Sequence, residues 1–135
     1  MDYIRTMSGP SEISLRHVAL FCGDLAAMER FYVDVLGYAV EWRPDPDNVY
    51  LTRGADNLAL HAGKPVPGGP LDHIGFVVPQ PEDVDAWAAH VAAAGFTPDK
   101  PPRTHRDGAR SFYMRDPGDN LVQIIYHPPI SPTVS

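Results

Sequence analysis

Two histidines stand at matching places in this chain of 135 residues. His17 opens the apolar run Val18-Ala19-Leu20-Phe21, and His73 opens Ile74-Gly75-Phe76-Val77. Each run leads into a helix-like stretch closed by glycine and an aromatic, Gly37-Tyr38 in the first copy and Gly95-Phe96 in the second. Repetition at this scale marks two equivalent structural units, and equivalent units set equivalent residues face to face. Imidazole is a common ligand of divalent metals, so a histidine from each unit can build one metal site between them. A second constellation is basic. Arg103, His105, Arg106, Arg110 and Arg115 cluster in a chain whose net charge is -6. Guanidinium groups there would capture a carboxylate or phosphate of a ligand; as plain edge charges they would instead deter strand-to-strand aggregation.

The elements that must carry these residues follow from periodicity. His17 to Cys22 alternates as a strand. Asp24 is a good N-cap, and Leu25, Met28, Phe31, Tyr32, Val35 and Leu36 then recur at helical spacing before Gly37. Tyr38–Trp42, Val49–Thr52 and Asn57–His61 are three further strands, separated by Asp45-Pro46-Asp47-Asn48 and Gly54-Ala55-Asp56. The second half repeats the order. Ile74–Val78 is a strand, Pro81 suits a first helical position, and Val84, Trp87, Ala88 and Val91 form a buried stripe ending at Gly95. Prolines 98, 101 and 102 confine the next strand to an edge. Ser111–Arg115 and Leu121–Tyr126 close the set. The class is α+β: residues 1–14 are an arm and 15–127 a single domain, with module one at 15–62, a Pro/Gly linker at 63–71 and module two at 72–127. Residues 128–135 are read as a tail.

Composition excludes several roles. No apolar run approaches a membrane span. The first residues lack the basic start and hydrophobic stretch of a signal peptide. A single cysteine, Cys22, rules out an internal disulfide and suits a reducing cytoplasm. The acidic balance disfavours nucleic acid as a partner. The expected partner is a small molecule.

This duplicated strand–helix–three-strand order, with histidines opening each copy, resembles the vicinal oxygen chelate superfamily. That group includes glyoxalase I, extradiol dioxygenases, fosfomycin-resistance transferases and bleomycin-resistance binding proteins. The resemblance rests on Phe31-Tyr32, Leu36-Gly37-Tyr38, Asp72-His73-Ile74-Gly75-Phe76 and Ser111 to Pro117, and on Asn120-Leu121-Val122-Gln123. It implies two βαβββ modules forming a cup-shaped mixed β-sheet, helices on the convex side, and a homodimer whose modules pair within a chain or swap between chains. Strand parity fits the cup. With His17 and His73 inside, Ala19, Phe21, Ala59, His61, Gln123 and Ile125 face inward, and Leu20, Leu58, Leu60, Ile74, Phe76, Val122 and Ile124 face the helices.

Carried over residue by residue, the ligand positions are His17, Ala59, His73 and Gln123. Ala59 can bind nothing, which leaves His17, His73 and Gln123 as the metal set, with an amide where a glutamate is usual. The implied cofactor is a divalent ion, with Zn, Ni, Fe, Mn and Mg not distinguished. Tyr113 faces the metal in the resemblance, and its hydroxyl is a candidate catalytic donor. His61, about 7 Å along the strand from Ala59, is a candidate acid–base group. Arg103, Arg106 and Ser111 are candidate substrate-binding residues. His127 shares the inward parity but lies about 13 Å beyond Gln123, too far to share its ion. His90 falls on an exposed helical face.

Two functions compete. One is a metal-dependent enzyme acting on a small oxygen-rich metabolite through Lewis-acid stabilisation of an enolate or alkoxide. Glyoxalase I chemistry itself is disfavoured, because neither Ala59 nor Gln123 can shuttle a proton. The other is a metal-free protein that sequesters a small molecule, as bleomycin-resistance proteins do.

Overall fold

The alternating runs at Val18 and Ile74 form two strands that lie side by side, β1 (Ser14–Cys22) antiparallel to β5 (Leu71–Val77). The computed structural model describes residues 7–63, 69–115, 117 and 120–131. The first six residues of the arm, linker residues 64–68, Asp116 and residues 132–135 of the tail lie outside the described residues. Module one continues with β2 (Ala39–Asp45), β3 (Asn48–Thr52) and β4 (Asn57–Ala62). Module two continues with β6 (Lys100–Thr104), β7 (Arg110–Arg115) and β8 (Leu121–Tyr126). All join one sheet in the order β2-β3-β4-β1-β5-β8-β7-β6. The order reads the same from both edges: each module pairs its first strand in parallel with its last, and the two first strands form the seam. The modules of one chain thus pair with each other.

Helix α1 (Leu25–Arg30) starts as expected, with Asp24 Oδ1 accepting from the Ala27 amide at 3.0 Å. It does not run regularly to Leu36; residues Phe31–Val35 widen into a π-type turn. Gly37 ends the segment at φ 76°, a conformation that favours glycine. There Arg53 Nη1 donates to the carbonyls of Leu36 and Gly37 at 3.1 Å each. Helix α2 (Pro81–Ala93) begins on Gln80, whose backbone N–H donates to Asp83 Oδ2 at 2.9 Å.

The helices cover the convex face with two apolar clusters. Cys22, Val49, Leu51 and Leu60 pack with Leu25 and Met28 in module one, and Val78, Val84, Val91, Phe112 and Ile124 pack with Trp87 in module two. Leu20, Leu58, Leu60, Phe76 and Ile124 therefore face the helices, as parity requires. A third cluster sits on the concave side, where Val77, Ala109 and Ile125 meet Ile130. The segment expected as a tail begins with this ordered turn: Ile130 is buried, and Ser131 Oγ accepts from the His127 amide at 2.7 Å. A single apolar side chain in a proline-rich stretch gives sequence reasoning little reason to expect it.

Candidate functional site

The site forms where the seam meets the last strand. In register, His17 lies beside Gly75, and Gly75 beside Gln123. His73 stands two residues from Gly75 on the same face. The row has room for a histidine only because its middle member has no side chain: a Cβ on Gly75 would come within 2.7 Å of both Cβ and Cδ2 of His17.

His17 and His73 meet with Nε2 atoms 2.8 Å apart. Each ring is oriented through its other nitrogen. His17 Nδ1 lies 2.8 Å from Asn57 Oδ1 and 3.3 Å from the Asn57 carbonyl, so it is the donor and carries the hydrogen. Asp72 Oδ2, 3.4 Å from His73 Nδ1, selects the same tautomer there. Both Nε2 lone pairs therefore point at a shared position. Protonation does not satisfy them at neutral pH. Burial, reinforced by the neighbouring His73, pushes His17 down to about 3. Burial also lowers His73, against the opposing pull of Asp72. Two neutral imidazoles with converging lone pairs suit a metal ion at bond lengths of about 2.0–2.1 Å.

Gln123 stands beside the pair. Its Nε2 donates to the Tyr113 hydroxyl at 2.9 Å, while its Oε1 is buried and makes no hydrogen bond among the described residues. The amide is close enough to His73 to favour that ring's protonated form. An orphaned buried acceptor beside two unprotonated ring nitrogens fits a bound cation. Among the described residues no three His, Cys, Asp or Glu side chains converge on one point, and the polar group that adjoins the histidine pair is the Gln123 amide. Ala59 lies on the cavity wall and offers no donor.

Around this point opens a cavity of 520 Å³. The Tyr113 ring stands edge-on to His73, and burial first, then Asp72, pushes its hydroxyl up to about 12, so it is a donor at neutral pH. His61 also lines the cavity. Its Nδ1 is held by Asn48 Oδ1, which leaves Nε2 turned toward Asp72 Oδ2 at 4.0 Å. Trp42 and Tyr50 stack on the opposite wall, centroids 5.4 Å apart at an angle of 9°.

The basic cluster divides. Arg103 and Arg106 line the cavity, the latter with its guanidinium 5.6 Å from the Trp42 ring centre. Arg110 and Arg115 are engaged elsewhere, paired with Asp85 at 2.7 Å and Asp99 at 3.2 Å. Ser111 does not line the cavity. It is buried, and its Oγ lies 2.8 Å from His105 Nε2, so it props a cavity-lining imidazole.

Sequence reasoning does not single out Gly75, Asn57, Asp72 or Glu41. Asn57 was legible: it has the parity of Ala59 and His61, and parallel pairing places it opposite His17. Glu41 carries no such signal. It lies at a register shift in β2 and contacts residues distant in sequence, with Oε2 2.7 Å from His127 Nε2. His127 thus enters the same region through Glu41, although strand spacing sets it far from Gln123.

The buried pair gives a pH signature for the fold. His17 has a folded-state value depressed from 6.5 to about 3, so the unfolded chain binds the proton more readily. The corresponding stability is present above pH 6.5 and is lost as pH falls toward 3. Urea titrations of metal-stripped protein should show the midpoint falling across that window. His17→Gln should flatten the fall; an unchanged slope would show that His17 is not buried neutral.

Comparison with known proteins agrees with this architecture. The family model described as Glyoxalase/Bleomycin resistance protein/Dioxygenase superfamily matches residues 14–124. No curated protein sequence matches the chain. Among solved structures, the Mn(II)-bound glyoxalase from Novosphingobium aromaticivorans superposes with a TM-score of 0.73 at 21% identity, covering 83% of this chain and 37% of its own. An extradiol ring-cleaving dioxygenase from B. fuscum gives 0.70 at 26% identity, covering 91% and 36%. Homoprotocatechuate 2,3-dioxygenase from Brevibacterium fuscum, in complex with 3,4-dihydroxyphenylacetate, gives 0.70 at 25%, covering 91% and 40%. The chain spans little more than a third of the length of these proteins.

Proposed function

Because the chain belongs to the Glyoxalase/Bleomycin resistance protein/Dioxygenase superfamily, we propose that it is a divalent-metal-dependent enzyme acting on a small, oxygen-rich, anionic metabolite. The observation that carries this reading is the pair of Nε2 atoms 2.8 Å apart, each fixed as an acceptor from behind. His17, His73 and the Gln123 Oε1 would hold the ion. When bound it would supply Lewis-acid polarisation of substrate oxygens, stabilising a developing enolate or alkoxide. The protein's own groups divide the remaining tasks. Tyr113 donates a hydrogen bond to the developing oxyanion, and Gln123 Nε2 holds its hydroxyl in place. His61 Nε2 takes or returns a proton; Asn48 keeps its Nδ1 protonated, and Asp72 steadies the charged ring. Arg103 and Arg106 bind the substrate's carboxylate or phosphate at the cavity wall. The 3,4-dihydroxyphenylacetate held by the B. fuscum enzyme combines adjacent oxygens with a carboxylate and is a suitable probe of that chemistry.

The test is a titration of metal-stripped protein with Mn(II), followed by 3,4-dihydroxyphenylacetate and other small hydroxy acids in the presence and absence of the ion. Metal binding, and a ligand whose affinity depends on the metal, are expected. Failure to bind Mn(II), Zn(II) or Ni(II) overturns the reading. Arg103→Ala or Arg106→Ala should weaken the best anionic ligand about tenfold, the loss of one charge-assisted contact. Full affinity in both variants would make these arginines ordinary edge charges.

The Trp42–Tyr50 stack favours a second reading, a protein that sequesters a flat molecule without metal. That reading requires ligand affinity to be unchanged by EDTA. A homodimer is proposed from the family resemblance, and sedimentation of the purified chain tests it.

A further inference from the structure

The ligand set proposed above, on which this inference rests, carries no negative charge: two neutral imidazoles and one amide. A carboxylate nevertheless lies one residue behind it. Glu41 extends from β2 with only 10% of its side chain exposed. Its Oε2 accepts from Asn57 Nδ2 at 3.1 Å and lies 2.7 Å from His127 Nε2. Its Oε1 is buried and makes no hydrogen bond among the described residues. Asn57, itself buried, turns its Oδ1 to the Nδ1 of His17 at 2.8 Å. A carboxylate removed from water with one oxygen unpartnered is costly unless nearby positive charge compensates it.

We propose that Glu41 is a positioning residue for the cation site, supplying through Asn57 the negative charge that the ligand set lacks. An amide that donates to a carboxylate through Nδ2 becomes a stronger acceptor at Oδ1. Its hold on the His17 Nδ1–H strengthens, and His17 Nε2 becomes the more basic ligand. His127 clamps the carboxylate from the far side and is itself anchored through its amide to Ser131 Oγ. Asp72 serves His73 in the same way but directly, without a relay. The two imidazoles are thus backed by carboxylates of different reach, one contributed by each module.

Calorimetric titration of the metal-stripped full chain with MnCl₂ tests this on wild type, Glu41→Gln and the double variant Glu41→Gln/Asn57→Asp. Glu41→Gln keeps the shape and, through its amide oxygen, an acceptor for Asn57 Nδ2, and removes the charge. It should weaken Mn(II) binding about tenfold, at the low end of outer-shell effects, while the melting temperature in EDTA does not fall. The double variant returns a carboxylate directly to His17 Nδ1 and should recover wild-type affinity, which a purely structural role for Glu41 would not produce. Should Glu41→Gln fail to fold, Asn57→Ser breaks the relay with Glu41 in place and should show the same loss. Wild-type affinity in the single variant overturns the proposal, as does a double variant no tighter than Glu41→Gln. These outcomes leave the metal reading intact. A wild-type chain that binds none of Mn(II), Zn(II) and Ni(II) in the same titration overturns both.

Discussion

Gln123→Glu is expected to bind divalent metal more tightly than the wild-type chain, by about ten- to a hundredfold. Ligand charge count sets affinity at oxygen-donor sites over several orders of magnitude, and at neutral pH a glutamate brings its charge without releasing a proton. The substitution is nearly isosteric. Among the described residues the Gln123 side chain hydrogen-bonds through Nε2, which donates to the Tyr113 hydroxyl, and a tyrosine hydroxyl can turn from acceptor to donor. The buried, unpartnered Oε1 becomes a carboxylate oxygen at the same place. Competition titrations with Mn(II) and Zn(II) on both forms measure the change. Equal or weaker binding by the glutamate form would mean that Gln123 Oε1 does not face the ion.

Gly75→Ala loses metal affinity and stability together. An added Cβ would meet His17 Cβ and Cδ2 at 2.7 Å, closer than real side chains approach, and the side chain it meets has its ring held from behind by Asn57. Overpacking of this kind costs about 1–3 kcal/mol, and relief by rotating His17 breaks the ligand pair. The melting temperature in EDTA should fall by several degrees, and Mn(II) binding should drop below detection. Gly23→Ala is the control, since a Cβ there meets nothing within 4 Å. It should stay within about 0.5 kcal/mol of wild type. A stable, metal-binding Gly75→Ala chain would show that the row His17–Gly75–Gln123 is looser than its geometry implies.

Much of this site was legible because strand parity has a period of two. Once His17 and His73 face inward, the inward positions of Ala59, His61, Gln123 and Ile125 follow, and all of them line the cavity. The cap at Asp24 and the stop at Gly37 are local signals and hold locally. What escaped depends on distance or irregularity. Glu41 reaches His127 across 86 positions, beside a β2 register shift that breaks the count of two. The π-type turn at Phe31–Val35 keeps an apolar spacing that also reads as regular helix. Arg110 and Arg115 belong by sequence with Arg103 and Arg106, but acidic partners on α2 and in the connection before β6 turn them to other tasks. Ser111 has a plausible parity for the cavity, yet the His105 ring stands in front of it.

The antiparallel seam between β1 and β5 also has a kinetic meaning. His17 and His73 are 56 positions apart, and each hangs from its own half of the sheet. Neither half can assemble the pair alone, so the site comes into being only when that long loop closes, late among the events of folding. An ion recognising the closed seam gives the unfolded chain no early help. It would lengthen the lifetime of the folded state instead: stability would rise by mass action with free metal, and the gain would appear as slower unfolding at an unchanged folding rate.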